Sequence, residues 1–398
     1  MADSSEEIDG LVLDLGSIRW RCGFAGDGSP RYYNESVLGR SRLSHKSNES
    51  ATSPPIRKTE DTYIGDEAVR RRESLSLSFP IQRGIVTDWD DMQTLLDHML
   101  FRGLNLSEDS LSARSVLYTE AVLNPKYCRE KMAELLVERY NVPAILACAS
   151  PILTLYASGR TTGLAMDWGH GVTSVIPIYE GHIIPNGKRR VDFGGADLTA
   201  YLADLLSAKG HHFHTTAGLE TVRIMKEELV YVASSEGETP SCYAPENKDF
   251  TLPDGNKITF GEELAQCGEL LFNPGLLGAE YMHIPGMQTV AHESIMSCPR
   301  DCRKELWRNI VVSGAGSMHY GVAKRMQAEL TRLRDQSASA SHQQSASGEV
   351  KSIFPPERRK SVWIGGSVLA SMSTFQDQWV TKVEYQEYGP TAIHRTAY

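Results

Sequence analysis

The sequence predicts an α/β fold of two large, related lobes with a cleft between them, and three observations predict it. The first two are the stretches Asp14-Leu15-Gly16-Ser17 and Asp167-Trp168-Gly169-His170-Gly171. Each follows an apolar, strand-like run, Leu11 to Leu13 or Leu164 to Met166, and leads into another, Cys22 to Gly26 or Val172 to Ile178. A strand, an Asp, a Gly-containing turn and a returning strand make a hairpin whose tip exposes backbone N–H groups. Such a tip can cradle phosphate, and the Asp can hold a hydrated divalent cation beside it. Two of these hairpins, about 150 residues apart, point to a duplicated domain clasping a nucleotide. The third observation is length: 398 residues exceed one ordinary core and fit two lobes.

Along the chain, the first residues (Met1-Ala2-Asp3-Ser4-Ser5-Glu6-Glu7) are acidic and polar, unlike a secretory leader. No apolar run approaches the roughly 18 residues of a membrane span. A net charge of −9 argues against nucleic acid or an anionic membrane as the main partner. The seven cysteines, odd in number and without CxxC pairs, fit reduced thiols in the cytosol or nucleus. Cys298 and Cys302 stand four residues apart without a His or second pair, so no metal site is expected there. Ser41 to Thr62 reads as an exposed flexible loop and Ser234 to Asn247 as a second surface loop, and the low-complexity Gln336 to Gly348 has too little apolar area to order itself. Helices are expected over Lys126 to Tyr140, with Met132, Leu135, Leu136 and Tyr140 on one face and Pro143 beyond, and over Thr216 to Ala233. The second would bury Leu219, Val222, Met225, Leu229 and Val232.

Long strings from end to end resemble actin. They include Gly84-Ile85-Val86-Thr87-Asp88-Trp89-Asp90-Asp91-Met92, Leu155 to Gly163, Leu252-Pro253-Asp254-Gly255, and Pro355 through Ser371 with its core Ser361-Val362-Trp363-Ile364-Gly365-Gly366. The resemblance implies the two-lobed ATPase fold shared with sugar kinases and heat-shock chaperones, with four subdomains around a central cleft. It places the first lobe at 1–157 and 361–398 (second subdomain about 36–78), and the second lobe at 158–360 (fourth subdomain about 194–283). It also implies the cleft residues. Asp14, Gly16 and Ser17 match the first phosphate loop; Arg21 stands where actin has a phosphate-binding lysine. Asp167, Gly169, Gly171 and Val172 match the second loop, and Arg223, Lys226 and Glu227 the adenosine-contacting helix. Gly195, Gly314, Met318 and Arg359 match further contacts. Asp14 and Asp167 would hold a divalent cation with bound ATP or ADP. Without the resemblance, Arg223, Lys226 and Glu227 read as a solvated charged face.

The departures from actin cluster on metal, water and phosphate. Ile18 replaces a glycine of the first loop, where a β-branched residue is strained if the backbone needs positive φ. His170 replaces a carboxylate beside the cation site. Ser150 and Ser174 replace the glutamine and histidine that resemblance assigns to the attacking water, and a serine hydroxyl is no base near neutral pH. Ala315 and His319 alter the third loop. No catalytic residue is therefore assigned, and hydrolysis is expected to be lost or very slow.

Surfaces that join actin subunits differ as well. Ser41 to Glu60 is polar, with only Leu43 and Ile56 as apolar anchors, and lacks the buried hot spot of a strong contact. Ala279 to Gln288 is longer than actin's interstrand plug and carries Pro285-Gly286; Arg83 replaces actin's modified histidine. Two readings follow. One is a structural subunit of a cytoskeletal, motor-associated, axonemal or chromatin assembly, with protein partners that include actin or other actin-related proteins. The other is a divergent filament-forming ATPase. The resemblance implies a cytoplasmic, cytoskeletal place, with nucleus and axoneme open. No membrane or direct nucleic-acid contact is expected.

Overall fold

Both hairpins form in the computed structural model, which describes residues 10–41, 62–234, 248–252, 254–340 and 349–395. The first pairs β1 (Gly10–Leu15) antiparallel to β2 (Arg19–Phe24), setting Asp14 opposite Arg21. β3 (Tyr32–Glu35) extends that sheet on one side; β4 (Ser115–Glu120) and β5 (Ala144–Ala149) continue it in parallel on the other, and Val380–Thr381 closes the edge. The second sheet repeats the plan. β6 (Gly163–Trp168) and β7 (Thr173–Tyr179) are the hairpin, β8 (His182–Ile183) lies outside β7, and β9 (Ile310–Ser313) and β10 (Ser352–Ile353) continue in parallel from β6. The repeat is the duplication that the two Asp-Gly stretches predict. Leu11, Val12 and Leu13 are all fully buried, because a strand covered on both faces needs an unbroken apolar run.

Four helices position the cleft: α1 (Ser150–Ala157), α2 (Gly195–Ala208), α3 (Thr216–Leu229) and α4 (Ser361–Ser371). α1 and α4 pack on each other between the sheets, and their apolar side chains share one core with Val12 and Leu117 from the first sheet and Ala165, Ile176 and Val311 from the second. At its centre Trp363 is fully buried and donates its indole N–H to the Val12 carbonyl at 3.2 Å. A three-stranded sheet (Leu38–Ser41, Thr62–Ile64 and Leu75–Ser78) carries its own small core of Val37, Ala68, Leu75 and Leu77. No helix among the described residues is long and apolar enough to cross a membrane.

Several expectations need correction. The helix from Lys126 widens to a π-turn at Leu135–Arg139 before Tyr140, with Met132, Leu136 and Tyr140 of the expected face buried and Leu135 partly so. The helix expected to reach Ala233 ends at Leu229, because Tyr231 bridges to Tyr320 and the Val232 N–H donates to the Tyr320 carbonyl at 2.8 Å. Its Leu219 is exposed, whereas Arg223 (3 %) and Lys226 (4 %) are buried, so the supposed solvated charged face is an interior one. Gln336 to Ala340 are the last turn of a helix over Val322–Ala340 rather than part of an unordered insertion. The Ser337 hydroxyl meets His292 Nε2 at 2.7 Å and Ser339 bonds back to the Asp335 carbonyl, which gives this small-residue stretch partners. Residues 42–61, 235–247 and 341–348, where the other exposed segments were expected, lie outside the described residues.

Candidate functional site

The two hairpin tips face one cleft, lined by Asp14, Gly16, Ser17, Arg21, Asp167, Gly169, Gly171, Val172, Gly195, Lys226, Glu227, Gly314 and Arg359. Of the residues that resemblance assigns to the cleft, Arg223 sits behind the wall and Met318 is two-fifths exposed outside it. Ile18, Ser150, His170, Ser174, Ala315 and His319, the departures, line it too.

The turns are tight for a steric reason. A Cβ on Gly16 would stand 2.7 Å from the Arg19 carbonyl oxygen, and one on Gly169 would stand 2.8 Å from that of Val172; each glycine N–H donates to the same oxygen. Ile18 is not strained: its φ is not positive, because the turn closes on Gly16 in ordinary backbone. Gly314 does need its freedom, with φ 89° and the Trp168 carbonyl 2.3 Å from an added Cβ.

Asp14 accepts from Arg21 Nη1 at 2.8 Å and from the Thr119 hydroxyl at 3.2 Å. Asp167 receives the Ser313 hydroxyl at 3.3 Å and has no cationic partner as close. Burial, and then the charge of Asp14, push Asp167 up to about 6. Two converging carboxylates that repel each other suit a hydrated divalent cation bridged to phosphate, which needs only one or two protein oxygens. The residues therefore fit such an ion, although no group of three or more metal-ligating side chains occurs among the described residues. The sign of the Asp167 shift gives a testable outcome. An acid raised above its unfolded value of 3.8 makes the cation-free protein more stable as pH falls through 6. Two pKa units correspond to roughly 3 kcal/mol. Asp167→Asn is expected to raise the melting temperature in chelator at pH 7 and to flatten that pH dependence; an unchanged pH profile would refute the assignment.

The wall formed by α2 and α3 buries Arg223 and Lys226, which are internally satisfied. Lys226 Nζ donates to the Gly195 carbonyl at 2.8 Å and Thr199 Oγ1 at 3.1 Å, and burial brings its pKa to about 8. Burial, then Lys226 and Arg223, hold His170 well below its ordinary value; burial and Lys226 push His319 down to about 4. Both imidazoles are neutral and weakly basic at pH 7. Burial works against Glu227 ionising, but Arg223, Arg19, Lys226 and Arg359 outweigh it and hold the carboxyl at about 2. The Ser150 hydroxyl is turned to the Glu120 carbonyl at 3.3 Å, and Ser174 is buried.

Two cleft-spanning residues escape sequence reasoning. Arg19 lines the cleft on the same strand face as Arg21, an i, i+2 signal that could have found it. Arg83, singled out only as a replaced histidine, forks across the cleft onto Asp197 of α2 at 2.6 and 2.7 Å and donates to the Gly171 carbonyl at 3.1 Å. Its own carbonyl accepts from Arg190 at 2.6 Å. Asp197 also caps α2 through the Gly194 N–H at 2.8 Å. The segment expected to form a longer plug opens with one short 3-10 turn, Ala279–Tyr281, and exposes Met282.

This architecture has a family counterpart. The family model described as Actin matches residues 5–397, nearly the whole chain, in agreement with the two-sheet fold and the paired hairpins around one cleft. The chain belongs to the actin family.

Proposed function

We propose that this actin-family protein is a structural subunit of a larger protein assembly, whose cleft holds ATP or ADP with a divalent cation and hydrolyses it very slowly or not at all. Asp14 and Asp167 would hold the cation, which on binding neutralises phosphate charge; Arg21, Lys226, Glu227 and Arg359 would hold the nucleotide. The observation that carries the reading is the absence of a competent base among the cleft side chains that replace the water-directing pair. Ser150 is engaged with a backbone carbonyl and Ser174 is a buried hydroxyl. Neutral His170 and His319 have pKa values too low to draw a proton from water efficiently. The internally paired charges of α3 and the clasp at Arg83 support the body as a fixed docking block. Its partners would be other proteins of a cytoskeletal, motor-associated, axonemal or chromatin complex.

The other reading, a divergent filament-forming ATPase, keeps its ground in the preserved Asp pair. One experiment separates the two. With magnesium and ATP, the purified protein is expected to release phosphate at the rate of a buffer blank and to stay in the supernatant under polymerising salt. Robust release together with pelleting would overturn the scaffold reading. A thermal shift with ATP or ADP reports binding on its own, because a ligand that binds only the folded state must stabilise it.

A further inference from the structure

Arg19 is the hinge of a ring of charges that crosses the cleft twice. On the first lobe its Nε donates to Glu35 Oε1 at 3.0 Å; across the cleft its Nη2 reaches Glu227 Oε2 on α3 at 3.1 Å. Glu35 reaches back across to Arg223 Nη2 at 3.1 Å, and Arg223 Nη1 closes the ring on Glu227 Oε1 at 2.5 Å. Arg359 adds a further bond to Glu227 Oε2 at 2.7 Å, and Glu220 holds the Nε of Arg223 at 2.9 Å. The ring of Tyr33 covers both Arg19 and Arg21, with centroids 5.8 and 5.5 Å from the guanidinium carbons. The four ring members are mostly withdrawn from water, their side chains 4 to 24 % exposed. Two arginines and two glutamates compensate one another inside the chain, so no ligand charge is required to keep the lobes together.

We propose that this ring is a latch that holds the two lobes shut over the cleft without a bound nucleotide. A carboxylate offers about four acceptor positions; Glu227 already accepts hydrogen bonds from Arg223 and Arg359 and is ion-paired with Arg19. The carboxylate that faces the cleft is therefore engaged in closure. A bound nucleotide held by Glu227 would share that carboxylate with these guanidinium groups. Closure and nucleotide binding are separate properties of such a cleft. The latch stands independently of the hydrolysis reading above: a phosphate-release assay tests that reading and leaves this one untouched.

The test uses the full-length protein, stripped with EDTA and apyrase, and follows lobe closure by small-angle scattering and by the rate of thermolysin cleavage. The wild type is expected to keep its radius of gyration and cleavage rate after stripping. Stripped Arg19→Met, which keeps an unbranched stem but loses the fork, is expected to scatter with a larger radius. It should also be cleaved about tenfold faster, the change that loss of roughly 1.4 kcal/mol of closure produces. Glu227→Gln removes the opposite charge at constant volume and guards against a folding defect peculiar to the first variant; it should behave alike. Arg19→Lys, with a point charge in place of a fork, should fall between. A wild type that opens on stripping, or both Met and Gln variants remaining as closed as the wild type, would overturn the latch. Because Arg83 is intact throughout, unchanged variants would leave closure to the other bonds between the lobes, Arg83–Asp197 and Arg72–Thr221 among them.

Discussion

Gly365→Ala is expected to unfold the protein or lower its melting temperature by on the order of 10 °C. Inside an exposed helix the same change would stabilise by about 1 kcal/mol through propensity, so the sign of the result decides which effect wins. Gly365 lies where α4 rests on α1, and a Cβ there would stand 1.8 Å from the Leu153 carbonyl oxygen and 2.5 Å from its carbon. Neither atom can swing aside, since both are backbone of a helix. On the next residue, a Cβ on Gly366 would meet the Val12 methyl at 2.8 Å. The helices must separate, and Trp363 with them, which exposes the core shared by both lobes. Overpacking against backbone in this setting costs on the order of 4 kcal/mol, and the temperature shift follows from that figure. Gly28→Ala is the control: an added Cβ meets nothing within 4 Å, and its melting point should match the wild type. Circular dichroism melts of the two variants decide the point, and equal melts would show that α1 and α4 do not pack as described.

The second large effect is expected at Arg83→Met. The change removes both charge-assisted bonds to Asp197 and the donor to the Gly171 carbonyl, leaving a carboxylate that is 8 % exposed with only the Gly194 N–H. Breaking a fully buried pair by deleting one partner costs 3–5 kcal/mol; the Arg83 side chain is 39 % exposed, so about 2–3 kcal/mol is expected here. Arg83 also sits at φ 50°, a left-handed backbone that a non-glycine residue holds only when its surroundings compensate. The clasp is that compensation. Arg83→Lys should recover only part of the loss, since an ammonium cannot fork onto both carboxylate oxygens. Hydrogen exchange is the direct readout: amides at the start of α2 and around Gly171 should exchange faster in the Met variant. Wild-type protection there would refute the clasp.

How much of this was legible in the sequence varies by kind of interaction. The hairpins were readable because apolar runs ending in Asp and Gly are local signals, and the structure forms both with the expected Asp at the strand end. The helix from Lys126 was readable from its apolar period for the same reason. Arg223 and Lys226 were not. A charged triad at i, i+3 and i+4 reads as solvated unless one knows that Glu35, Glu220, Thr199 and the Gly195 carbonyl wait for it, and Glu35 is 188 residues away. The end of α3 at Leu229 depends on Tyr320, also far along the chain. The strain expected at Ile18 was a conditional statement about φ, and only backbone geometry resolves it. Cleft-lining residues were reached largely through the resemblance to actin, which carries position but not partner. Arg21 held by Asp14 and Glu227 by three arginines are tertiary facts.

The path of the chain through α4 has a consequence for its synthesis. The sheet of the first lobe takes its strands from residues 10 to 149, yet the helix that covers Val12 and Leu117 begins only at Ser361 and its edge strand at Val380. A ribosome that delivers the amino-terminal half first must therefore leave that apolar face with α1 but without α4 while more than two hundred further residues are made. During that interval the nascent first lobe has a stickier surface than the finished protein ever shows. The order in which the chain leaves the ribosome, rather than the final free energy, then sets when it is most exposed to aggregation.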